Sequence, residues 1–137
     1  KYYNELHLLV EQLNLAGRVK FVDVVEKNEL ALYYKSASLF VFPSLIENCP
    51  NILLEALSFS CPILCSSAQP MEEFGGAAVT YFDPYSHLDL SNLMQGCLDS
   101  PAILKQMSEL SGERSKCFSW DIFTESVVNL TKLNRPL

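Results

Sequence analysis

The stretch Pro43-Ser44-Leu45-Ile46-Glu47-Asn48-Cys49-Pro50-Asn51-Ile52-Leu53-Leu54-Glu55-Ala56-Leu57 closes one apolar run at Pro-Ser, crosses a short polar loop and enters a second apolar run. Two carboxylates, Glu47 and Glu55, bracket the loop. Proline suits the first helical position, where its missing N–H costs nothing, so the stretch predicts a helix over about residues 50–57. The amides of Asn51 and Ile52 then face the loop, and with the positive end of the helix dipole they suit a phosphate or a sugar hydroxyl. The helix is apolar almost all round, which predicts burial, with Glu55 the exception. A helical side chain leans toward its N-terminus, so the Glu55 carboxylate points back to the loop mouth, within reach of a ligand diol. A bond to backbone or to a lysine is an equally common use of a partly buried acid. Glu47 stands where a loop residue reaches a bound substrate, although a solvated turn acid is the simpler reading of that residue alone. Asn48 and Asn51 can each cap the helix.

Outward from this stretch the pattern alternates. Leu6, Leu9, Val10 and Leu13 hold the spacing of an amphipathic helix over 2–14, with Gly17 as its stop. Residues 19–25 are β-rich and read as a strand. Leu30, Tyr33, Tyr34 and Ala37 repeat the helical spacing, and 38–42 is a continuous apolar run that suits a parallel strand buried on both faces. Downstream, 62–66 reads as a buried strand, 70–74 as one helical turn closed by Gly75-Gly76, and 77–82 as the last strand, ending at Asp83-Pro84. Three helical patterns follow: Leu90, Leu93, Met94 and Cys97; Leu104, Met107 and Leu110; Phe123, Val127 and Leu130. Pro101 starts the second, and Pro136 lies just past the third. Strands alternating with helices, without hairpin signals, indicate an α/β layer fold with a mostly parallel sheet. Its ligand site lies outside the carboxyl ends of the strands, where residues 43–50 sit. No repeat or linker divides the chain, so one domain is expected.

Composition narrows the function. The chain has 137 residues, 49% apolar and 19% charged, as in ordinary globular proteins. A net charge of −6 with ten scattered basic residues argues against nucleic acid as a partner. Cys49, Cys61, Cys65, Cys97 and Cys117 are odd in number and form no C-x-x-C pair, which points to a reducing, cytoplasmic setting and against a zinc site. Cys61 and Cys65 read as buried small hydrophobes. His7 and His87 read as surface residues without a metal partner. No apolar run approaches the roughly eighteen residues of a membrane span, and the N-terminus has no signal-peptide pattern, while peripheral membrane contact stays open. Two distant histidines assemble no nucleophilic triad, and Gly75-Gly76 is not a phosphate-binding glycine loop.

Phe42-Pro43-Ser44, followed by Glu47 through seven residues to Glu55 and then Ala56-Leu57, resembles the Glu-x7-Glu signature of the retaining glycosyltransferases of the GT-B fold, group 1 or family 4. The resemblance extends to Leu13-Asn14-Leu15, Val19-Lys20-Phe21, Glu29-Leu30-Ala31-Leu32-Tyr33-Tyr34, Pro62-Ile63-Leu64, Asp83-Pro84 and Phe118-Ser119-Trp120, so nearly the whole chain looks like that family's Rossmann-like C-terminal domain. It implies a nucleotide-diphosphate sugar as donor, retention at the anomeric carbon, no metal and no cofactor, and a role in polysaccharide or glycoconjugate synthesis. By position, Glu47 would be the catalytic residue, facing the donor sugar and holding its hydroxyls or supporting positive charge at the reacting carbon. Asn48, Cys49, Pro50, Asn51 and Ile52 would hold sugar and diphosphate, and Glu55 the ribose hydroxyls. Asn48-Cys49-Pro50 stands where the family often has Gly-Phe-Gly, and Asp23 where a glycine often follows the third strand.

The resemblance also implies parts that these residues do not contain: two leading strands, a helix with a basic pair for the diphosphate, and an N-terminal domain for a glycan or lipid-linked acceptor. The chain is therefore expected to be a partial C-terminal domain, inactive alone, whose helices over about 101–133 pack on the sheet and toward the absent domain. In the family's strand order 3-2-1-4-5-6, residues 19–25 and 38–42 are strands three and four and should not pair directly. The rival reading is a non-catalytic binding or regulatory module of the same fold. A nucleotide-sugar epimerase would need histidine and acid pairs that cannot be placed here.

Overall fold

The computed structural model describes residues 2–133. They form two compact units, one ending at Leu30 and the other beginning at Ala31. The first contains helix α1 (Tyr2–Gln12) and an irregular connection, and helix α2 (Lys27–Ser36) crosses from one unit into the other. The expected helix over 2–14 forms, but no residue of α1 is fully buried, and Leu9 and Leu13 are exposed. His7 departs from its expected surface place: it lies one turn beyond Tyr3, stacks on Phe21 at 4.0 Å, and its buried Nε2 has no hydrogen-bond partner among the described residues.

Residues 19–25 are not a strand. Their β-branched residues favour extended backbone, but a strand persists only where a neighbour completes its hydrogen-bond ladder, and these residues join none. They accordingly do not pair with the strand over 40–42.

The second unit holds the sheet, β1 (Phe40–Phe42), β2 (Ile63–Ser66) and β3 (Thr80–Phe82), all parallel in the order β1-β2-β3. Phe42 faces Cys65 across the first ladder, and Ser66 faces Phe82 across the second. Every residue of β2 is buried, as its uninterrupted apolar run requires. Helices α3 (Asn51–Ser58) and α4 (Met71–Gly75) form the crossovers between strands, and α5 (His87–Leu98), α6 (Pro101–Ser115) and α7 (Trp120–Leu133) follow β3. α6 packs on α3, α5 and β2. A core of Leu64, Phe82, Cys97 and Met107 joins the sheet to α5 and α6. This is the α/β, Rossmann-like arrangement expected of the resemblance.

The last strand is shorter than the expected 77–82, because Gly76–Ala78 coil into a 3₁₀ turn. Gly76 sits at φ +56°, open to glycine at little cost, and a Cβ on Gly75 would collide with the Tyr81 hydroxyl. Tyr81 donates to the Gly76 carbonyl at 3.1 Å and fastens the turn to β3. Arg114 of α6 fastens it from the other side, donating through Nε to the Phe74 carbonyl at 2.8 Å and through Nη2 to that of Glu73 at 2.6 Å. The caps of α5 and α6 are Ser86 and Ser100, with Pro101 at the start of α6 as expected. Pro136 lies outside the described residues.

Candidate functional site

Parallel strands send their carboxyl ends to one side of the sheet, and the segment between β1 and α3 starts there. The neighbouring strand end controls its path. Ser66, the fully buried last residue of β2, donates its hydroxyl to the Ser44 carbonyl, and Ser44 donates its own to Glu47 Oε1 at 2.7 Å. Glu47 is thereby held half-buried. Cys65 lies close enough to sense it: burial pushes the Cys65 thiol up to about 12, and the Glu47 charge adds to the rise.

Pro50 is fully buried and caps α3 rather than opening it, with a non-helical ψ of 70°. Asn51 is the first helical residue, and its amide turns back to the Cys49 carbonyl at 2.8 Å, so it is not the free donor expected. The first helical bond runs from Leu54 N–H to the Pro50 carbonyl at 3.1 Å, leaving the amides of Ile52 and Leu53 ahead of it. Neither Asn48 nor Asn51 caps the helix with its side chain. Asn51 Oδ1 instead accepts from the Cys49 thiol at 3.6 Å, and Asn48, Cys49 and Asn51 are all exposed.

The expectation of a helix buried all round is also corrected. Leu53, Ala56 and Leu57 are fully buried, whereas Ile52 is 50% exposed and Glu55 lies on the open face. An eight-residue helix on one side of a sheet has only one face to bury. Glu55 meets a tyrosine rather than backbone or lysine: Tyr34, buried in α2, donates its hydroxyl to Glu55 Oε2 at 3.2 Å. The Tyr34 ring stacks on Phe59 and meets Phe40 edge-on. Burial and then the nearby Glu55 charge push its pKa up to about 12. Each acid thus commits one oxygen to a protein hydroxyl, and among the described residues no donor holds the other.

All seven predicted site residues therefore lie on one loop and the first turns of one helix. Sequence reasoning missed Ser66 and Tyr34, whose roles depend on contacts 22 and 21 residues away. Ser44 stood in the quoted stretch, but only as the end of a strand. A cavity of about 610 Å³ lies beside this site: it shares Cys49 and Asn51 with the loop, continues past Leu54 to Phe118, Trp120 and Phe123, and neither acid lines it. Among the described residues no cluster of His, Cys, Asp or Glu is gathered as a metal site, and no helix is long and apolar enough to cross a membrane.

Residues 1–114 match the family described as Glycosyl transferases group 1. O-antigen chain mannosyltransferase B of Escherichia coli is 29% identical over 127 residues, covering 91% of this chain and 33% of its own length. D-inositol 3-phosphate glycosyltransferase 2 of Catenulispora acidiphila is 27% identical over 141 residues, 93% of this chain and 32% of its own. The chain spans about a third of the length of these curated relatives. Among solved structures, sucrose-phosphate synthase from Thermosynechococcus elongatus superposes with a TM-score of 0.83 at 25% identity, over 95% of this chain and 33% of that one. Its match over residues 1–114, its relatives and its shared architecture give one answer: the chain belongs to the group 1 glycosyltransferases, as their C-terminal, Rossmann-like GT-B domain.

Proposed function

We propose that this chain is the donor-binding part of a glycosyltransferase that moves a sugar from a nucleotide diphosphate to an acceptor with retention at the anomeric carbon. The observation that carries the reading is the pair Glu47 and Glu55, each with one carboxylate oxygen tethered and one open, on the loop and helix that follow a parallel strand. Glu47 faces the donor sugar, accepting from its hydroxyls and supporting positive charge at the reacting carbon. The amides ahead of the first helical bond, with the N-terminal end of the α3 dipole, favour the diphosphate as it gains charge on leaving. Asn48, Cys49, Pro50 and Asn51 shape the sugar's surroundings, and Glu55 accepts from the ribose hydroxyls. The reading uses no resident metal or cofactor. The acceptor, a glycan or lipid-linked saccharide, engages an N-terminal domain, without which the chain is inactive. The relatives named above as transferases of mannosyl and other glycosyl groups support the reaction class.

Titrating the chain with uridine and guanosine diphosphate tests the site. Saturable binding of at least one is expected, weakened about tenfold or more in Glu55→Ala, which removes hydrogen bonds to a charged acceptor. Binding of neither, in native chain and variant alike, would favour a non-catalytic module of the same fold.

A further inference from the structure

Glu47 lies in a segment that leaves the sheet, yet its carboxylate is tied back to the sheet in two steps. The first runs from the fully buried Ser66 hydroxyl at the end of β2 to the Ser44 carbonyl. The second runs from the Ser44 hydroxyl to Glu47 Oε1 at 2.7 Å. The alternative acceptor for that hydroxyl, the Ile46 carbonyl, is more distant at 3.3 Å, and a carboxylate is the stronger acceptor. A hydroxyl has one hydrogen to give, so the Ser44 bond takes up one Glu47 oxygen, and among the described residues no donor holds the other.

We propose that Ser44, anchored by Ser66, is a positioning residue that fixes the Glu47 carboxylate in one rotamer, with Oε1 committed to the protein and Oε2 presented to the donor sugar. The second half of this statement rests on the donor-site reading above, and the first half does not. Ser66 is needed because Ser44 alone is as movable as the loop that carries it. Its buried hydroxyl, held by the strand ladder, transmits the rigidity of the sheet to the acid two bonds away.

The test has two arms on the 137-residue chain. In the first, three-bond couplings along the Glu47 side chain are measured by NMR in the native chain and in Ser44→Ala, Ser44→Thr and Ser66→Ala. A single rotamer is expected in the native chain and in Ser44→Thr, which keeps the hydroxyl, and rotamer averaging in both alanine variants. Couplings in Ser44→Ala equal to the native ones would overturn the proposal. Should Ser66→Ala fail to fold, the Ser44 pair decides alone. In the second arm, UDP-glucose and GDP-mannose are compared with the free diphosphates. Ser44→Ala should weaken the sugar nucleotide about tenfold relative to its diphosphate, and Ser44→Thr should restore it. An unchanged ratio would overturn the presentation of Oε2 to the sugar. A native chain that binds no nucleotide at all would count against the donor-site reading, while the couplings still decide whether Ser44 positions Glu47.

Discussion

At the scale of the residue, the two acids differ in what restrains them. Glu47 is held by a short side chain within its own loop, and Glu55 by a tyrosine whose ring is fixed between Phe59 and Phe40. The Tyr34–Glu55 bond therefore has one rigid end and one end in water. Tyr34→Phe should cost at most about 1 kcal/mol in urea unfolding, because the exposed carboxylate recovers hydrogen bonds from solvent. Glu55→Gln should lower the Tyr34 pKa from about 12 only part of the way toward 10.0, since burial is the larger cause and survives the substitution. NMR titration of the Tyr34 ring carbons measures that shift. Neither bond was legible in the sequence: Glu47 and Glu55 were found by spacing, but spacing reveals neither the turn that brings Ser44 onto Glu47 nor a tyrosine brought in from α2.

At the scale of the element, α3 shows how far periodicity carries and where it stops. The run from Ile52 to Leu57 announces a helix and its register, yet composition alone made every face look buried. The structure separates those faces by what lies against them. Leu53→Ala, at a position with no exposure, should cost about 2–5 kcal/mol, whereas Ile52→Ala, half exposed, should stay below about 1 kcal/mol. Urea denaturation of both variants checks the contrast, and similar losses would mean that Ile52 is covered in solution. Helices α4, α5 and α6 were legible for the same reason, since each buries residues against the sheet or a neighbour, whereas α7 was legible from its apolar spacing alone, with Phe123, Val127 and Leu130 all exposed. The segment 19–25 was misread because β-rich composition records a preference for extended backbone and says nothing about whether a second strand is there to pair. The shortened β3 has a local cause: Gly75 and Gly76 allow a coil under Tyr81 that the apolar run through Val79 concealed.

At the scale of the whole molecule, the groups with strongly raised pKa values share one direction. Cys65 moves from 9.0 to about 12, and Tyr34 and Tyr81 from 10.0 to about 12, each mainly through burial of the neutral form. The folded chain thus retains protons that the unfolded chain releases. Linkage then makes stability independent of these groups below pH 9.0 and lowers it progressively as pH rises toward about 12. Urea unfolding curves collected across that interval should show the midpoint falling with pH, and Cys65→Ala should make the fall shallower without moving its onset, because burial also raises Cys61 and Cys97 from the same starting value.

The chain's single tryptophan, Trp120, is 82% exposed at the lip of the groove between α3 and α7. Placed there, it is an optical reporter of one face of the protein. Its emission in the free chain should be that of an indole in water, readily quenched by iodide, and any molecule that covers the groove should shift the emission to the blue and shield it. Neither acid lines that cavity, so a nucleotide that stays at Glu47 and Glu55 and does not reach Cys49 or Asn51 should leave the signal nearly unchanged. Fluorescence can therefore separate events at the acids from events on α7 without a label or a mutation.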